Sequence, residues 1–194
     1  MSIDLYDEPY FKRLNRRVRP SVRAVVPEIV RSFSPSSAVD IGCGDGQWTI
    51  ALAKRGVRAI GVDSAEVARE KHSLATFLQR DLTQMGPGSI GSSDICLCLE
   101  VAEHLPPAAA DPLVGLISSS SELVLFSAAI PNQGGTGHLN EQPHDYWIER
   151  FVSRGFIPNQ TWRNRFDECS SVAPWYRQNM IVFRRRDERF SAPQ

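Results

Sequence analysis

The 194-residue sequence lacks a long apolar run, a net charge and a dense set of cysteines. No 18 consecutive residues are apolar, which argues against a membrane-spanning helix. The balance of 22 basic and 22 acidic side chains disfavours a general nucleic-acid or acidic-membrane binder, although a local basic patch stays open. The first segment is charged and broken by Pro9 and Pro20, unlike a secretory leader, so we expect a cytoplasmic protein.

The cysteines are too few and too irregularly spaced for a disulfide framework, which indicates a reducing compartment. Cys96 and Cys98 stand two apart in an apolar segment, where a strand would place both thiols on one face. A C-x-C metal site is one interpretation. We expect instead that both thiols are buried as small apolar groups.

Apolar segments separated by turn residues predict a single α/β domain with a mainly parallel sheet, closed by an antiparallel C-terminal hairpin. Residues 1–37 would form a helical segment over the substrate, and residues 38–194 the core. Strands are predicted at 38–41, 57–62, 76–79, 94–99, 122–128, 156–162 and 179–184, with no helix between the last two. Helices are predicted at 21–33 (kinked or divided in two at Pro27), 47–55, 64–73 and 107–118 and within 140–155.

A glycine-rich loop follows the first predicted strand, in the pattern D-x-G-x-G-x-G from Asp40 to Gly46. It departs from the dinucleotide pattern G-x-G-x-x-G because Gln47 stands where the last glycine would be. Asp63 follows the second strand, where a carboxylate can accept hydrogen bonds from ribose hydroxyls. Asp81 and Leu82 follow the third strand and suit a purine ring. These loops contain no lysine, so the sequence predicts a site for a nucleoside without phosphates.

At this point the sequence resembles the class I S-adenosylmethionine-dependent methyltransferases. The resemblance lies in residues 39–46, 61–63, 80–82 and 99–106, in the family's order and spacing. It implies a seven-stranded Rossmann-like sheet and S-adenosylmethionine as cofactor. The implied cofactor-binding residues are Asp40, Gly42, Cys43, Gly44, Asp63, Ser64, Asp81, Leu82 and Leu99. For Asp40, the alternative that it only supports the turn stays open.

Glu100, Glu103 and His104 form an E-x-x-E-H segment after the fourth strand. Carboxylates and imidazole are suitable ligands for Mg²⁺, Mn²⁺ or Zn²⁺. The segment resembles the metal-binding element of small-RNA 2′-O-methyltransferases and of quinone-biosynthesis O-methyltransferases. In the RNA enzymes a histidine after the fifth strand completes the site, and His138 stands there. The resemblance therefore implies metal ligands at Glu100, Glu103, His104 and His138. The alternative is a metal-free site in which these groups are structural.

Without a metal, His138 or His144 is the natural general base, because an imidazole can accept a proton at neutral pH. We favour His138, since the glycines at 134–137 could form a lid that brings it over the site. His138, His104 and Glu103 are thus the candidate catalytic residues. Arg177 could bind a polar acceptor or pair with Glu141. An aromatic wall could come from Tyr6, Tyr10, Phe11, Tyr146, Trp147, Trp175 and Tyr176.

These features predict an O-methyltransferase for a small hydroxylated acceptor such as a sugar, a nucleoside or a secondary metabolite. Residues 6–11, 134–142, 146–147 and 175–179 also resemble a bacterial subgroup from glycan and natural-product pathways. An RNA 2′-O-methyltransferase is an alternative that the zero net charge disfavours, despite the arginines between 13 and 23. Small-molecule N-methylation and a non-catalytic cofactor-binding subunit are further alternatives. A homodimer whose partner completes the pocket is also open.

Overall fold

A computed structural model describes residues 8–64 and 73–186. The helix predicted at 64–73 lies almost wholly outside the described residues. The strands are β1 Ser37–Ile41, β2 Arg58–Asp63, β3 Thr76–Gln79, β4 Ile95–Leu99, β5 Leu123–Ser127, β6 Phe156–Asn159 and β7 Ile181–Arg185. The α-helices are α1 Glu8–Phe33, α2 Gln47–Ala53, α3 Ala110–Ser120, α4 His144–Val152 and α5 Pro174–Asn179. Short 3₁₀ turns occupy Leu82–Gln84, Ala102–His104, Pro107–Ala109 and Thr161–Phe166.

The strands form one seven-stranded sheet in the order β3-β2-β1-β4-β5-β7-β6. Only β7 is antiparallel to its neighbours, β5 and β6. The predicted fold class is therefore confirmed. The strand order reverses between β1 and β4, which is where open α/β sheets of this kind bind ligands, outside the carboxyl ends of the strands. None of the helices in the described ranges is long and apolar enough to cross a bilayer.

Two apolar layers cover the sheet, one on each face. Cys96 and Cys98 of β4 are fully buried in the layer that includes α3 and α4, together with Phe126 of β5. The opposite layer joins α1 and α2 to alternate residues of the same strands, such as Ile95 and Leu97. Successive residues of β4 enter opposite layers because side chains in a strand point alternately to the two faces of the sheet. Both thiols therefore pack as small apolar groups.

Helix α1 begins well before the predicted start at residue 21, because the sequence interpretation took Pro20 as a boundary. Both Pro20 and Pro27 lie inside the helix. Its buried residues recur at helical spacing on both sides of Pro20: Phe11, Asn15, Val18, Val22, Val25, Val26 and Ile29. Burial of this continuous face offsets the backbone hydrogen bond that a proline removes. The Ser21 hydroxyl also donates to the Arg17 carbonyl at 2.8 Å.

The prediction that no helix separates the last two strands was wrong, since a 3₁₀ turn and α5 lie between β6 and β7. Trp162 of the turn and Tyr176 of α5 are buried in the layer that contains α1. Their aromatic area stabilises short segments whose own helical propensity is low. This connection also brings Asn179, the last residue of α5, to Glu100 directly after β4.

Candidate cofactor and metal site

A cavity of about 560 Å³ opens at the carboxyl ends of the central strands. Its walls come from the loops after β1, β2, β3 and β4, from the first half of α1, and from residues 133–138. Nearly all the predicted site residues line it: Gly42, Cys43, Gly44, Asp63, Ser64, Asp81, Leu82, Leu99, Glu100, Glu103, His104 and His138. The structure thus brings together predicted site residues that lie up to 96 positions apart, from Gly42 to His138.

The glycine loop is bound to the end of β2 by several hydrogen bonds. The backbone amides of Gly42 and Cys43 donate to the Val62 carbonyl at 2.8 and 3.1 Å. Gly42 and Gly44 have φ values of 77° and 53°, which disfavour a side chain. A Cβ atom at Gly42 would overlap Val101, and one at Gly44 would lie 2.7 Å from the Phe11 ring. The loop therefore needs glycine to pass this close to the cavity wall.

Two carboxylates stand at the edge of the cavity with different surroundings. The Asp63 carboxylate accepts a hydrogen bond from the Gly44 amide at 2.8 Å, which joins the end of β2 to the loop. Asp81 is exposed, and its Oδ1 accepts bonds from the Thr83 amide and hydroxyl at 2.9 and 2.8 Å. These hydrogen bonds lower the pKa of Asp81. Both carboxylates line the cavity.

Asp40 does not line the cavity, unlike the other predicted cofactor-binding residues. It is 3% exposed, and its Oδ2 accepts a hydrogen bond from the Thr49 hydroxyl of α2 at 2.6 Å. Burial raises the pKa of this carboxyl to about 7, and the Thr49 hydrogen bond offsets part of that increase. The geometry favours the alternative in which Asp40 supports the turn from beneath.

The raised pKa predicts a pH-dependent cost to stability. Above the pKa of an unfolded Asp, near 3.9, the unfolded chain loses this proton while the folded chain keeps it, so stability falls as the pH rises towards about 7. As the pH rises from 5 to 7.5, we expect the free energy of unfolding of the Asp40→Asn variant to increase by about 2–3 kcal/mol relative to that of the wild type. Urea unfolding across this range measures the difference, with the exposed Asp167→Asn variant as control. A difference that stays constant with pH would contradict the assignment.

Glu103, His104 and His138 form the group best suited to hold a metal ion. One ligand atom from each residue lies within 4.8 Å of the other two. The two imidazole rings meet edge to face, with centroids 4.9 Å apart. The 3₁₀ turn Ala102–His104 presents two of these groups, and the segment after β5 returns over them with the third.

Glu103 is fully buried, and neither of its carboxylate oxygens hydrogen-bonds to a described residue. Burial is the first cause that raises its pKa well above the usual value, and the charge of Glu100 is the second. Burial also lowers the pKa of His104 to about 4, which keeps its ring neutral at pH 7. A buried carboxylate without hydrogen bonds beside a neutral imidazole is costly unless a cation or a proton compensates it.

His138 is oriented by Glu141, a pairing that the sequence interpretation did not foresee. The His138 Nδ1 atom lies 2.7 Å from the Glu141 carboxylate. That carboxylate also accepts hydrogen bonds from the backbone amides of Asn132 and Gly134, at 2.9 and 2.8 Å. Glu141 therefore fixes the glycine segment over the cavity and leaves Nε2 of His138 available, the arrangement common for metal-binding histidines.

Glu100, the remaining predicted ligand, falls outside this metal-ligating group. Its carboxylate accepts hydrogen bonds from the side-chain amides of Gln133 at 2.9 Å and Asn179 at 3.3 Å. Its backbone has a φ of 56°, a value uncommon outside glycine, at the point where the chain leaves β4. Gln133 and Asn179 were missed by the sequence interpretation, and only the fold brings them to this position.

The other candidates divide clearly between the cavity and its surroundings. Tyr10, Phe11, Trp175 and Tyr176 line the cavity, whereas Tyr146 and Trp147 do not. Tyr6 lies outside the described residues. His144 begins α4, away from the cavity, with Nε2 3.4 Å from Asn179. Arg177 lies outside the cavity and donates to the Asp167 carbonyl at 2.7 Å. Neither of its expected roles, binding a polar acceptor or pairing with Glu141, is therefore seen.

Comparison with known proteins identifies the type of domain. Residues 38–119 match a family model described as a methyltransferase domain. The ubiquinone biosynthesis O-methyltransferase of Methylococcus capsulatus is 33% identical over 133 residues, which cover 64% of this chain and 55% of that relative. The chain therefore spans little more than half the length of that relative.

Two solved structures share the fold over nearly the whole chain. The magnesium protoporphyrin IX methyltransferase of Synechocystis, crystallised with bound SAH, has a TM-score of 0.69 at 19% identity and covers 94% of this chain and 97% of that one. The sugar N-methyltransferase KedS8 of Streptoalloteichus has a TM-score of 0.71 at 15% identity, with 93% of both chains covered. The chain thus has the fold of these methyltransferases, and residues 38–119 match a methyltransferase domain.

Proposed function

We propose that this protein transfers a methyl group from S-adenosylmethionine to a hydroxyl of a small acceptor, with a divalent metal ion held by Glu103, His104 and His138. The domain match and the fold support methyl transfer. The observation that favours oxygen as the acceptor atom is the buried cluster of one carboxylate and two imidazoles. A neutral amine would need no such cluster, whereas a hydroxyl must lose a proton as it reacts.

The cavity fits S-adenosylmethionine in its chemistry. The glycine loop approaches so closely that side chains at Gly42 and Gly44 would collide with neighbouring residues, which keeps its backbone accessible to a ligand. Asp63 stands where a carboxylate can accept hydrogen bonds from a ribose. The wall at the strand ends carries several acids and no lysine or arginine, which suits a cationic sulfonium better than a phosphate chain. The cofactor supplies an electrophilic methyl group for in-line displacement.

The cluster of Glu103, His104 and His138 fits a divalent cation in its chemistry. Both Glu103 oxygens lack protein hydrogen bonds although they are buried, so they are open to a cation. Carboxylate and imidazole together suit Mg²⁺, Mn²⁺ or Zn²⁺. A bound ion would act as a Lewis acid and lower the pKa of an acceptor hydroxyl.

The residues of the chain then perform the remaining tasks. Phe11 and Tyr10 of α1 and the segment from Gly134 to Thr136 line the cavity. Glu141 holds His138 through Nδ1, so that Nε2 can bind the ion or accept the acceptor's proton. Glu100, tied by Gln133 and Asn179, adds a second negative charge beside Glu103. That charge disfavours an ionised Glu103 unless a cation is present.

Metal removal tests this proposal. Methyl transfer from S-adenosylmethionine is measured against a panel of catechols, sugars and nucleosides, before and after treatment with EDTA. We expect chelation to abolish turnover and Mg²⁺, Mn²⁺ or Zn²⁺ to restore it. Elemental analysis of the purified protein provides a readout that does not depend on turnover. Activity that is indifferent to EDTA would contradict the metal, and cofactor binding without turnover on any acceptor would favour a non-catalytic subunit.

A further inference from the structure

The wall of the cavity formed by α1 carries a group of positive charges. Arg13, Arg16 and Arg17 all line the cavity and are exposed at its rim. Their spacing of three and four residues places them on one side of the helix. The opposite wall, at the strand ends, carries the carboxylates of Asp63, Asp81, Glu100 and Glu103. The cavity thus has one cationic and one anionic side.

Arg31 of the same helix pairs with the Glu28 carboxylate, and Arg19, outside the cavity, donates to the Gln47 side chain at 3.2 Å. Within 8–64 and 73–186, no carboxylate pairs with Arg13, Arg16 or Arg17. Arginines that serve only to keep a helix surface in contact with water need not cluster at a cavity. Their position at the cavity therefore points to a ligand.

Aromatic rings lie next to the guanidinium groups. The Arg17 guanidinium carbon lies 5.9 Å from the ring centroid of Trp175, which also lines the cavity. Tyr10 lies within electrostatic reach of both walls: burial and the charge of Glu103 raise its pKa, and Arg13 lowers it. The space between the walls is therefore lined by aromatic groups and suits a ring.

We propose that the methyl acceptor is a small ring compound that carries an anionic group, either a carboxylate or a phosphate, bound by Arg13, Arg16 and Arg17. This inference rests on the proposed function and specifies its substrate class. Guanidinium groups bind both anions by charge-assisted hydrogen bonds. An anion held at the α1 wall would be repelled by the acids at the strand ends. The acceptor would therefore enter with its anionic end outward and its hydroxyl towards Glu103 and His138.

Binding of simple probes to the protein loaded with S-adenosylhomocysteine tests the inference. Benzoate and phenyl phosphate carry the proposed anions, and benzyl alcohol is the neutral counterpart. By calorimetry at constant ionic strength, we expect at least one anion to bind about tenfold more tightly than benzyl alcohol. The tighter of the two anions identifies the group.

Variants assign the effect to the α1 wall. The double variant Arg13→Gln/Arg17→Gln should abolish the preference for the anion, Arg13→Lys/Arg17→Lys should retain part of it, and Arg23→Gln, exposed on α1 but outside the cavity, should leave it unchanged. The midpoint of thermal unfolding should stay the same in every variant and shows that each is folded. An equal preference in the glutamine variant, or none in the wild type, would overturn the inference.

Two further outcomes separate this inference from others. Failure of the wild type to bind S-adenosylhomocysteine would contradict the proposed function itself, whereas cofactor binding without any anion preference would contradict only the substrate class. A short single-stranded RNA that binds more tightly than either probe, and loses affinity in the glutamine variant, would overturn the small-molecule class in favour of RNA.

Discussion

Replacing Glu103 by Gln is expected to lower the rate of methyl transfer by about 10²- to 10⁴-fold, the usual contribution of a group that moves or stabilises a proton in the transition state. The substitution keeps the size of a fully buried side chain but removes its charge. The metal content of the purified protein should fall with the rate, because the carboxylate is the only anionic ligand in the group of Glu103, His104 and His138.

The control for this variant is Glu122→Gln, an exposed glutamate outside the cavity. Its rate should match the wild type. Affinity of Glu103→Gln for S-adenosylhomocysteine should change little, because Asp63 and the glycine loop, rather than Glu103, are assigned to the nucleoside. A Glu103→Gln enzyme with wild-type turnover would exclude the cluster from the reaction.

Replacing Asp63 by Ala should weaken binding of S-adenosylhomocysteine by about 1–3 kcal/mol, or about 5- to 150-fold, the range for the loss of a buried polar partner. Asp63 lines the cavity, and its Oδ2 accepts the Gly44 amide hydrogen at 2.8 Å, so the variant loses both the proposed ribose contact and the anchor of the loop. Isothermal titration calorimetry measures the change.

A second variant separates these two contributions. Asp63→Asn retains an oxygen that can accept from Gly44 but loses the charge, so its affinity should fall between those of the wild type and Asp63→Ala. Asp167→Ala, at an exposed position outside the cavity, is the matched control. Unchanged affinity in Asp63→Ala would exclude the ribose assignment.

The sheet could be predicted because its strands are local features of the sequence. Strands such as β4 and β5 are buried at every position and are almost wholly apolar, so they form short apolar runs bounded by turn residues. The carboxyl ends of these strands then meet at one edge, which places Gly42, Asp63 and Glu103 around one cavity. Periodicity and topology were sufficient for this part of the site.

Other features depend on contacts that no local pattern reveals. The interpretation of α1 failed at Pro20, because burial of the helix face on both sides of the proline outweighs the local penalty. With the helix begun at residue 21, Arg13, Arg16 and Arg17 could not be placed on one face. A continued count of apolar positions back to Phe11 would have found the longer helix.

The pairing of Glu141 with His138 has a different origin. It depends on the path of residues 132–141, where the Asn132 and Gly134 amides donate hydrogen bonds to the Glu141 carboxylate. Asn179 reaches Glu100 across 79 positions of sequence, so only the assembled sheet brings the two together. Side-chain networks of this kind follow from the fold and not from spacing.

The central claim is that the cavity at the strand ends binds a nucleoside cofactor without phosphates, and a crystal structure of the protein with S-adenosylhomocysteine tests it most directly. Electron density for the adenosine is predicted between the loop from Gly42 to Gly46 and the carboxylates of Asp63 and Asp81, with the sulfur atom directed towards His138. Density elsewhere on the protein, with those residues uncontacted, would contradict the account.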